Sequence, residues 1–454
     1  MLLILAALQW GLPTADGPPR LAHAQTAGRP DIVLIITDDQ RFDTLKVMPK
    51  VRRQLVQRGM TFRRAIVTDP LCCPSRATIL TGRFSHTTGV YRNQGLKGGW
   101  PAFQPLESDT IATALQGAGY RTGLIGKYLN GYKGEEVYVP PGWDRWFAFM
   151  TGPRYYNYSI LDDHRGRRNY GSLPADYSTD VIRRQAVSFI RHTAPRRRLF
   201  LVVAPFAPHG SFIPAPRHDG DLSTASVDLG PAVNEANVSD KPRYIRDQAL
   251  GDLSAVRTRT RRQWETLLAV DDLVGEISVA LRETGRAGNA LVIFTSDNGL
   301  SNREHRWGQK SVPYDESIRV PLIVRWPGEI PRGSVVRTLV SNVDLAPTIA
   351  DFVGVSLSVD GVSLRRVLTN GAVSARGPVL LEQMKGIEGV PTYCGVRTRS
   401  FMFAHYVTGE EELYDLAQDP HQLRNVVSWR PTKARQLRNL TKSLCQPVPP
   451  GFSW

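Results

Sequence analysis

The feature that most constrains the fold is a set of short, continuously apolar segments, each bounded by polar or turn residues. Five such segments occur, at residues 31–37 (DIVLIIT), 121–126 (RTGLIG), 199–206 (LFLVVAPF), 290–296 (ALVIFTS) and 321–326 (PLIVRW). Apolar runs of this length without alternation are typical of strands that are covered on both faces. Segments with helical character lie between them, at 108–119 and 262–285. The alternation predicts an α/β fold with a mostly parallel central sheet flanked by helices.

The chain changes character after about residue 372. The segments 377–384, 393–407 and 411–420 are typical of short antiparallel strands and turns, and a final polar helix is expected near 430–443. We therefore expect a large α/β domain over residues 25–372 and a small C-terminal α+β subdomain over 373–454.

Residues 1–24 are predicted to be a signal peptide. Their apolar run is short for a membrane span, and the small residues around Ala22 and Ala24 are typical of a signal-peptidase site, although no basic residue precedes the run. The alternatives are an upstream start codon and cleavage by signal peptidase after Ala15. We expect export from the cytoplasm and no integral membrane span after removal of the signal.

Cysteine content and charge narrow the classes of partner. Four cysteines in 454 residues exclude a disulfide scaffold, and an oxidising compartment would permit a bridge between Cys394 and Cys445, with two separate thiols as the alternative. The formal net charge of +15 favours anionic partners. Because the arginines are scattered without interleaved aromatic residues, we expect acidic small molecules or polysaccharides rather than nucleic acid.

Polar residues follow four of the predicted strands. In chain order they are Asp38 with Asp39, Lys127, His209, and Asp297 with Asn298. Ligands of parallel sheets bind beyond the carboxyl ends of the strands, so these residues should meet at one edge. Their oxygens suit a hard cation such as Ca²⁺ or Mg²⁺. A turn or a helix cap explains a single Asp-Asp pair better than a metal site does, but two polar pairs at one edge favour a metal site.

A cysteine motif, LCCPSRATILTGR, occupies residues 71–83. Counted from Cys72 it is C-x-P-S-R followed by A-T-I-L-T-G-R, whereas counted from Cys73 the proline and arginine come one place early. The pattern resembles the signature of type I sulfatases, in which this cysteine is converted to Cα-formylglycine. The resemblance selects Cys72 and leaves Cys73 without a role.

The resemblance continues in order along most of the chain. Four segments are similar to the first metal, lysine, histidine and second metal segments of the family: IITDDQRFDTL, GLIGKYLNGY, APFAPHGSFIPAP and SDNGLSNREHRWGQKSVPYDESIRVPLIVRWPG. VSNVDLAPTIADFVGV and EELYDLAQDP are also similar to family elements. CCPSR together with GKYLN most resembles the N-acetylglucosamine-6-sulfatase-like members. Membership implies the fold of the alkaline phosphatase superfamily.

The resemblance also implies roles for single residues. The implied catalytic residues are Cys72, Arg76, Lys127, His209 and Lys310, and the implied metal ligands are Asp38, Asp39, Cys72, Asp297 and Asn298. The implied cation is calcium, with magnesium as the alternative, and the implied maturation partner is the formylglycine-generating enzyme. In the implied mechanism, the hydrated aldehyde at position 72 attacks sulfur, and its second hydroxyl then allows sulfate to leave.

One departure from the family concerns the proton donor. Many arylsulfatase-like members carry a histidine two residues after the first lysine, where this chain has Leu129 followed by Asn130. We interpret Asn130 as a substrate contact. His209 is the candidate general acid, because the unperturbed pKa of histidine lies near neutrality. His305 is a second candidate, with a place on the surface or behind the site as its alternative.

The sequence thus predicts a secreted, cation-dependent hydrolase of sulfate monoesters, acting on sulfated sugars such as N-acetylglucosamine 6-sulfate. A phosphomonoester, phosphodiester or phosphonate hydrolase of the same superfamily is the first alternative, since phosphate and sulfate esters present similar tetrahedral anions. A catalytically inactive protein that binds anionic polysaccharides is the second. The chain has every residue that the resemblance assigns to the metal site, together with the cationic side chains Arg76, Lys127 and Lys310. Their presence argues against the second alternative.

Overall fold

The computed structural model describes residues 28–133, 138–150, 152–371, 376–386 and 388–454. The expected signal peptide and the expected boundary between residues 372 and 373 lie outside these ranges. The strands are β1 Asp31–Thr37, β2 Met60–Ile66, β3 Arg121–Gly126, β4 Arg145–Phe149, β5 Tyr158–Asp162, β6 Gly166–Tyr170, β7 Leu199–Ala204, β8 Ala290–Ser296, β9 Arg319–Arg325, β10 Ser334–Ser341, β11 Val379–Gln383, β12 Tyr393–Arg397, β13 Phe401–Tyr406 and β14 Glu411–Asp415. The helices are α1 Pro49–Gln54, α2 Cys72–Thr81, α3 Ser85–Thr88, α4 Gly99–Phe103, α5 Ile111–Gly117, α6 Ser178–Arg191, α7 Arg243–Arg246, α8 Leu253–Glu283, α9 Asp315–Ile318, α10 Leu345–Val353, α11 Arg365–Asn370 and α12 Pro431–Leu444.

A ten-stranded sheet forms the centre of the larger domain. Its strand order is β10-β2-β9-β8-β1-β7-β3-β4-β5-β6. The four strands β8, β1, β7 and β3 are neighbours and run parallel, so their carboxyl ends lie at the same edge. The predicted α/β class with a mostly parallel sheet is confirmed. One predicted strand, β9, runs antiparallel to both β8 and β2. The sequence did not predict this direction, because an apolar run indicates burial and carries no information about the direction of a strand.

Both faces of the sheet are covered by apolar layers, which explains the continuous apolar runs. Along β1, Ile32 and Leu34 belong to one core cluster, and Val33 and Ile35 to the cluster on the other face. None of these four side chains is exposed. Each contributes about 1.5–3 kcal/mol when it is removed from water. The burial of β1 on both sides fixes the position of the residues that follow it.

Helix α8 is longer than its sequence pattern indicated. The expected helix began at residue 262, whereas α8 begins at Leu253. The additional turns are rich in arginine and lack the apolar periodicity on which the expectation depended. Asp252 starts the helix, because its side chain accepts a hydrogen bond from the backbone N–H of Ser254 at 2.8 Å.

The C-terminal region forms a separate antiparallel sheet, in the order β11-β12-β13-β14. Helix α12 packs against it through Ala434 and Leu437, which confirms the expected small α+β unit. A disulfide between Cys394 and Cys445 joins β12 to the residue after α12, so the first of the two alternatives for this pair is confirmed. In the described part of the chain, no helix has the length and apolar character to cross a membrane.

Candidate active site

The carboxyl ends of β1 and β8 bring four polar residues into contact. β1 leads into Asp38 and Asp39, and β8 leads into Asp297 and Asn298; all four are buried. The backbone N–H of Asp39 donates to Asp297 Oδ1 at 3.1 Å, and Asn298 Nδ2 donates to Asp39 Oδ1 at 2.7 Å. Asp39 has a φ of 64°, a left-handed conformation that few residues other than glycine adopt. Such a conformation is retained where the surrounding structure demands it.

Helix α2 carries the cysteine motif into this edge. It begins at Cys72, and Pro74 is tolerated because the first turn of a helix needs no backbone N–H donor. The helix ends at Gly82, which has a φ of 70°. A Cβ atom at Gly82 would lie 2.8 Å from Val359 Cγ1. The glycine of the T-G-R segment therefore ends the helix and allows close packing.

Cys72 lies in the first turn of α2 and is 1% exposed. Lys310 Nζ donates to its Sγ at 3.0 Å, and the thiol donates to Asp38 Oδ1 at 3.5 Å. Burial raises the pKa of the Cys72 thiol to about 12, because it outweighs the opposing charges of Lys127 and Lys310. The side chain at position 72 thus contacts both a carboxylate, Asp38, and a cationic side chain, Lys310.

Each aspartate after β1 is paired with a lysine. Lys127 Nζ lies 2.6 Å from Asp38 Oδ2, and Lys310 Nζ lies 2.5 Å from Asp39 Oδ1. Burial alone would raise the pKa of Asp38, but the charges of Lys127, His209 and Arg76 together outweigh burial, and the pKa falls to about 2. The pKa of Asp39 is also lowered, since Lys310 and His209 together overcome the effect of burial. Both carboxylates are therefore ionised at neutral pH.

Arg76 lies one helical turn after Cys72 and joins two strand ends. Its Nε donates to Asp297 Oδ2 at 2.8 Å, and its Nη1 donates to the carbonyl of Lys127 at 3.0 Å. Ser75 donates to the backbone carbonyl of Asp297. Arg76 and Ser75 therefore fix the position of α2 relative to the loops after β3 and β8.

His209 follows β7 and faces the carboxylates. Its Nε2 lies 3.6 Å from Asp39 Oδ2, and its side chain is 34% exposed. Nδ1 lies 2.8 Å from the carbonyl of Gly210, an acceptor that favours a proton on Nδ1. Tyr155 donates to the carbonyl of His209 at 2.8 Å. These contacts leave Nε2 as the ring atom that can exchange a proton with a bound molecule.

The donor atoms of this edge suit a hard divalent cation. One ligand atom from each of Asp38, Asp39, Cys72 and His209 lies within 4.8 Å of the others. Asn298 Oδ1 is buried and has no hydrogen-bond partner among the described residues. A buried acceptor without a partner is costly, so a cation at this place would satisfy it.

Sequence comparison identifies the family. The Sulfatase family model matches residues 30–355. N-acetylglucosamine-6-sulfatase from Homo sapiens is 31% identical over 458 residues, which cover 88% of this chain and 81% of the human protein. The chain belongs to the sulfatase family. The extracellular sulfatase SULF-1 homolog of Drosophila melanogaster is 34% identical to this sulfatase over 359 residues, which cover 75% of this chain and 31% of the fly protein.

The remaining comparisons agree with this assignment. The family model of the C-terminal part of N-sulphoglucosamine sulphohydrolase matches residues 303–447 of this sulfatase. A solved structure of a protein in complex with its substrate, D-glucosamine-2-N,6-O-disulfate, has the same fold, with a TM-score of 0.79 at 24% identity over 92% of this chain and 98% of that protein. The predicted membership of the alkaline phosphatase superfamily and the predicted sulfuric ester hydrolase class are confirmed.

The candidates Asn130 and His305 lie in different surroundings. Asn130 lines a cavity of about 570 Å³ together with Lys127 and His209. His305 does not line this cavity; its side chain is buried, and its Nδ1 lies 2.6 Å from Glu235 Oε2. Its ring packs on Tyr314 with centroids 4.1 Å apart. This sulfatase therefore brings Asn130 to the site and keeps His305 behind it.

Cys73 has a contact that the motif did not indicate. Its Sγ accepts a hydrogen bond from the backbone N–H of Asn130 at 3.1 Å, and its own N–H donates to Asn93 Oδ1 at 2.9 Å. Burial raises the pKa of the Cys73 thiol to about 11. Cys73 thus holds the segment that carries Lys127 and Asn130 against α2 of the sulfatase.

Other residues of the site were missed by sequence reasoning. Arg154 is exposed and lines the cavity, and Trp307 Nε1 donates to the carbonyl of Lys310 at 3.0 Å. Arg154 comes from the loop between β4 and β5, which has no readable pattern. Trp307 lies three residues before Lys310. Its closeness in sequence to this predicted site lysine was the one signal that could have indicated its place in the site.

Proposed function

We propose that this sulfatase hydrolyses sulfate monoesters of sugars with an aldehyde nucleophile made from Cys72 and a bound divalent cation. One observation carries the proposal. Cys72 Sγ lies at the buried start of α2, 3.0 Å from Lys310 Nζ and 3.5 Å from Asp38 Oδ1. A group at position 72 is therefore held where positive charge, carboxylate ligands and the adjoining cavity meet.

The thiol itself is a poor nucleophile at this position. Its pKa of about 12, raised by burial, keeps it protonated at neutral pH, and only the thiolate attacks efficiently. Conversion of Cys72 to an aldehyde by the formylglycine-generating enzyme would remove this obstacle. The hydrated aldehyde supplies one hydroxyl that attacks sulfur and a second whose deprotonation releases sulfate.

The cation would be held by Asp38, Asp39, Asp297 and Asn298, together with the group at position 72. The unpartnered Oδ1 of Asn298 and the low pKa of Asp38, which Lys127 holds down, support this assignment. Asp297 is also a hydrogen-bond acceptor for Arg76. Calcium is the proposed ion and magnesium the alternative, since both take oxygen ligands. When bound, it supplies charge that lowers the pKa of the attacking hydroxyl and neutralises sulfate oxygens.

The protein supplies further positive charge from three sides. Lys127, Lys310 and Arg76 are buried around position 72. Preorganised cations are most effective where charge develops in the transition state, and a sulfate monoester is itself an anion. Lys127 and Lys310 would contact sulfate oxygens, and Arg76 would keep Asp297 oriented.

His209 would donate the proton that the leaving oxygen needs. Its Nδ1 is held by the carbonyl of Gly210, and Nε2 faces the site. Partial exposure of the ring lets it recover a proton from solvent. Asn130, on the wall of the same cavity, would contact the sugar near the leaving oxygen.

The cavity supports a sugar as the substrate. Its volume of about 570 Å³ lies in the range of small-molecule sites. Arg154 and Asn157 present polar groups on its wall, where they can orient sugar substituents. N-acetylglucosamine 6-sulfate is the proposed representative, in line with the activity named for the human relative. Secretion, supported by the extracellular fly relative, is proposed as well.

Release of sulfate from a small panel tests the proposal. Protein co-expressed with a formylglycine-generating enzyme is assayed on N-acetylglucosamine 6-sulfate, an aryl sulfate and the matching aryl phosphate, with Cys72→Ala as the control. We expect sulfate release that chelation abolishes and calcium restores. A higher rate on the phosphate ester would favour a phosphate hydrolase, and equal rates for the wild type and Cys72→Ala would contradict the proposal.

A further inference from the structure

A second charged concavity lies outside the active site, between the edge of the central sheet and the C-terminal sheet. It has a volume of about 480 Å³, and its lining includes Arg337 of β10, Arg376 before β11 and Arg399 of the turn between β12 and β13. Arg64 of β2 donates from Nη1 to the carbonyl of Arg337 at 3.3 Å. We call this concavity, with Arg337 and Arg399 on its wall and Arg64 beside it, the arginine cleft.

The charge of the arginine cleft is only partly balanced, because Arg376 on its wall pairs with Asp344. Among the described residues, no carboxylate lies within 4.0 Å of a side-chain nitrogen of its three defining arginines. Burial, followed by the charges of Arg397 and Arg399, lowers the pKa of Arg64. Burial is the larger cause, and the neighbouring cations add to it by repelling the charge of Arg64. An anion in the cleft would relieve that repulsion.

Protection of an edge strand does not account for the arrangement. Charged residues on an edge strand prevent it from pairing with other chains, and this explains Arg337 on β10. Arg64, however, lies on the inner strand β2, and Arg399 belongs to the other sheet. Arginines from three separate elements therefore lie on or beside one concavity.

A further arginine-rich surface differs in its charge balance. Arg29 and residues 196–198 border another concavity, at the amino ends of β1 and β7. There, Arg197 pairs with Asp144 at 3.0 Å and Arg198 pairs with Asp31 at 3.4 Å. Two of those four arginines pair with carboxylates, whereas at the arginine cleft Arg376 pairs and Arg64, Arg337 and Arg399 form no ion pair within the described residues, so the cleft is the better anion site.

We propose that the arginine cleft binds a segment of an anionic polysaccharide that carries sulfate or carboxylate groups. Guanidinium groups suit both anions because their paired N–H donors match two oxygens of one group. The concavity offers threonine, leucine, glycine and proline beside the arginines and no aromatic side chain. Single-stranded nucleic acid needs aromatic side chains on which its bases stack, so a polysaccharide fits better. This choice of polymer rests on the proposed function.

The arginine cleft lets the enzyme bind a polymer at a site separate from the bond that it cleaves. A chain bound there is presented to the active site at a raised local concentration, which matters only for polymeric substrates. Loss of the cleft should therefore leave the rate on a monosaccharide sulfate unchanged and lower the apparent affinity for a long sulfated chain.

Binding of a heparin oligosaccharide to protein with Cys72→Ala, which excludes turnover, tests the proposal. The cleft variant carries Arg64→Ser, Arg337→Ser and Arg399→Ser. The matched control carries Arg52→Ser, Arg53→Ser and Arg435→Ser, three exposed arginines with the same total charge and no ion pair within the described residues. We expect the dissociation constant to rise about tenfold in the cleft variant and no more than about twofold in the control.

Three outcomes would overturn the proposal. Equal losses in both triple variants would show that net charge alone attracts the polymer. Tighter binding of single-stranded RNA of matched charge would point to nucleic acid. The double variant Arg337→Ser with Arg399→Ser changes two exposed positions and leaves the core intact. If this variant kept the heparin affinity of the parent protein, the cleft would be excluded as the binding site, and misfolding could not explain the result. Because the assay needs no catalysis, its result is independent of whether sulfate is released.

Discussion

Two buried charge clusters in this sulfatase have opposite designs. At the active site, Asp38 and Asp39 face Lys127 and Lys310 beside an open cavity, and Asn298 Oδ1 lacks a partner among the described residues. In the C-terminal sheet, Glu412 accepts hydrogen bonds from the hydroxyls of three tyrosines. They are Tyr314 at 2.7 Å, Tyr414 at 2.5 Å and Tyr406 at 2.6 Å.

The difference separates a functional cluster from a structural one. The Glu412 cluster satisfies its carboxylate completely with neutral donors, and Tyr314 from the larger domain joins it to the C-terminal sheet. The active site instead places several ionised groups together and leaves an acceptor open. A fully satisfied network stabilises the fold, whereas an incompletely satisfied one is completed by a ligand. Substitutions should therefore affect rate in one cluster and stability in the other.

The largest effect is expected at position 72. In Cys72→Ser we expect the rate of sulfate release to fall at least about a thousandfold, because serine has one hydroxyl and cannot expel sulfate as a hydrated aldehyde can. Cys73→Ser is the matched control. Its oxygen can still accept from the N–H of Asn130, so the rate should stay within about tenfold of the wild type. Equal losses at both positions would contradict the assignment of Cys72.

A second comparison uses two buried lysines. In Lys310→Met we expect kcat to fall about a hundredfold with little change in melting temperature, because the side chain faces the reacting group. Lys241 is equally buried and lies 5.3 Å from the centre of the Tyr414 ring in the Glu412 cluster, but it pairs with Glu235 at 3.2 Å and Asp240 at 2.9 Å. Lys241→Met should cost about 3–5 kcal/mol of stability and leave kcat per folded molecule nearly unchanged. Kinetics and thermal unfolding of both variants decide whether the clusters differ as described.

Removal of the charge at the structural cluster should have a moderate effect. Glu412→Gln keeps the size of the side chain but weakens its acceptors and adds a donor, so we expect a loss of about 1–3 kcal/mol in the free energy of unfolding. Denaturant titration measures it. A fall in kcat without a fall in stability would show that the C-terminal sheet takes part in the reaction.

The smallest effect is a dependence of stability on pH. Burial raises the pKa of Glu412, so the folded protein binds this proton more tightly than the unfolded chain, and stability should fall as the pH rises above 4.5. The neighbouring Glu411 contributes a pH dependence of stability with the opposite sign. Although burial opposes it, the hydrogen bonds from Arg438 and His405 lower its pKa to about 2, so stability should fall as the pH drops from 4.5 towards 2.

The free energy of unfolding of Glu411→Gln and Glu412→Gln, measured across both pH ranges, checks these signs. Each variant should remove one slope and keep the other. A single slope of the same sign in both variants would contradict the two pKa directions.

Much of the site followed from the sequence because parallel strands end at one edge. Asp38, Lys127, His209 and Asp297 each come directly after, or a few residues after, a buried strand, so their convergence needed only the strand order. The motif register identified Cys72 without a structure. What the sequence could not provide depended on contacts between distant segments.

His305 and Arg154 illustrate those contacts. His305 lies five residues before Lys310, yet it pairs with Glu235, which is 70 residues away, and is therefore held behind the site. Arg154 reaches the cavity from a loop whose path depends on the β4 to β5 turn. The antiparallel direction of β9 was hidden for the same reason, since burial and direction are separate properties of a strand.

The measurement that tests the central claim most directly is mass spectrometry of the tryptic peptide of residues 65–76 from fully active enzyme. We expect the residue at position 72 to have lost sulfur and two hydrogens and gained one oxygen, with Cys73 intact. The modified fraction should equal the active fraction of each preparation. A peptide with both cysteines unchanged, from enzyme that releases sulfate at full rate, would contradict the account.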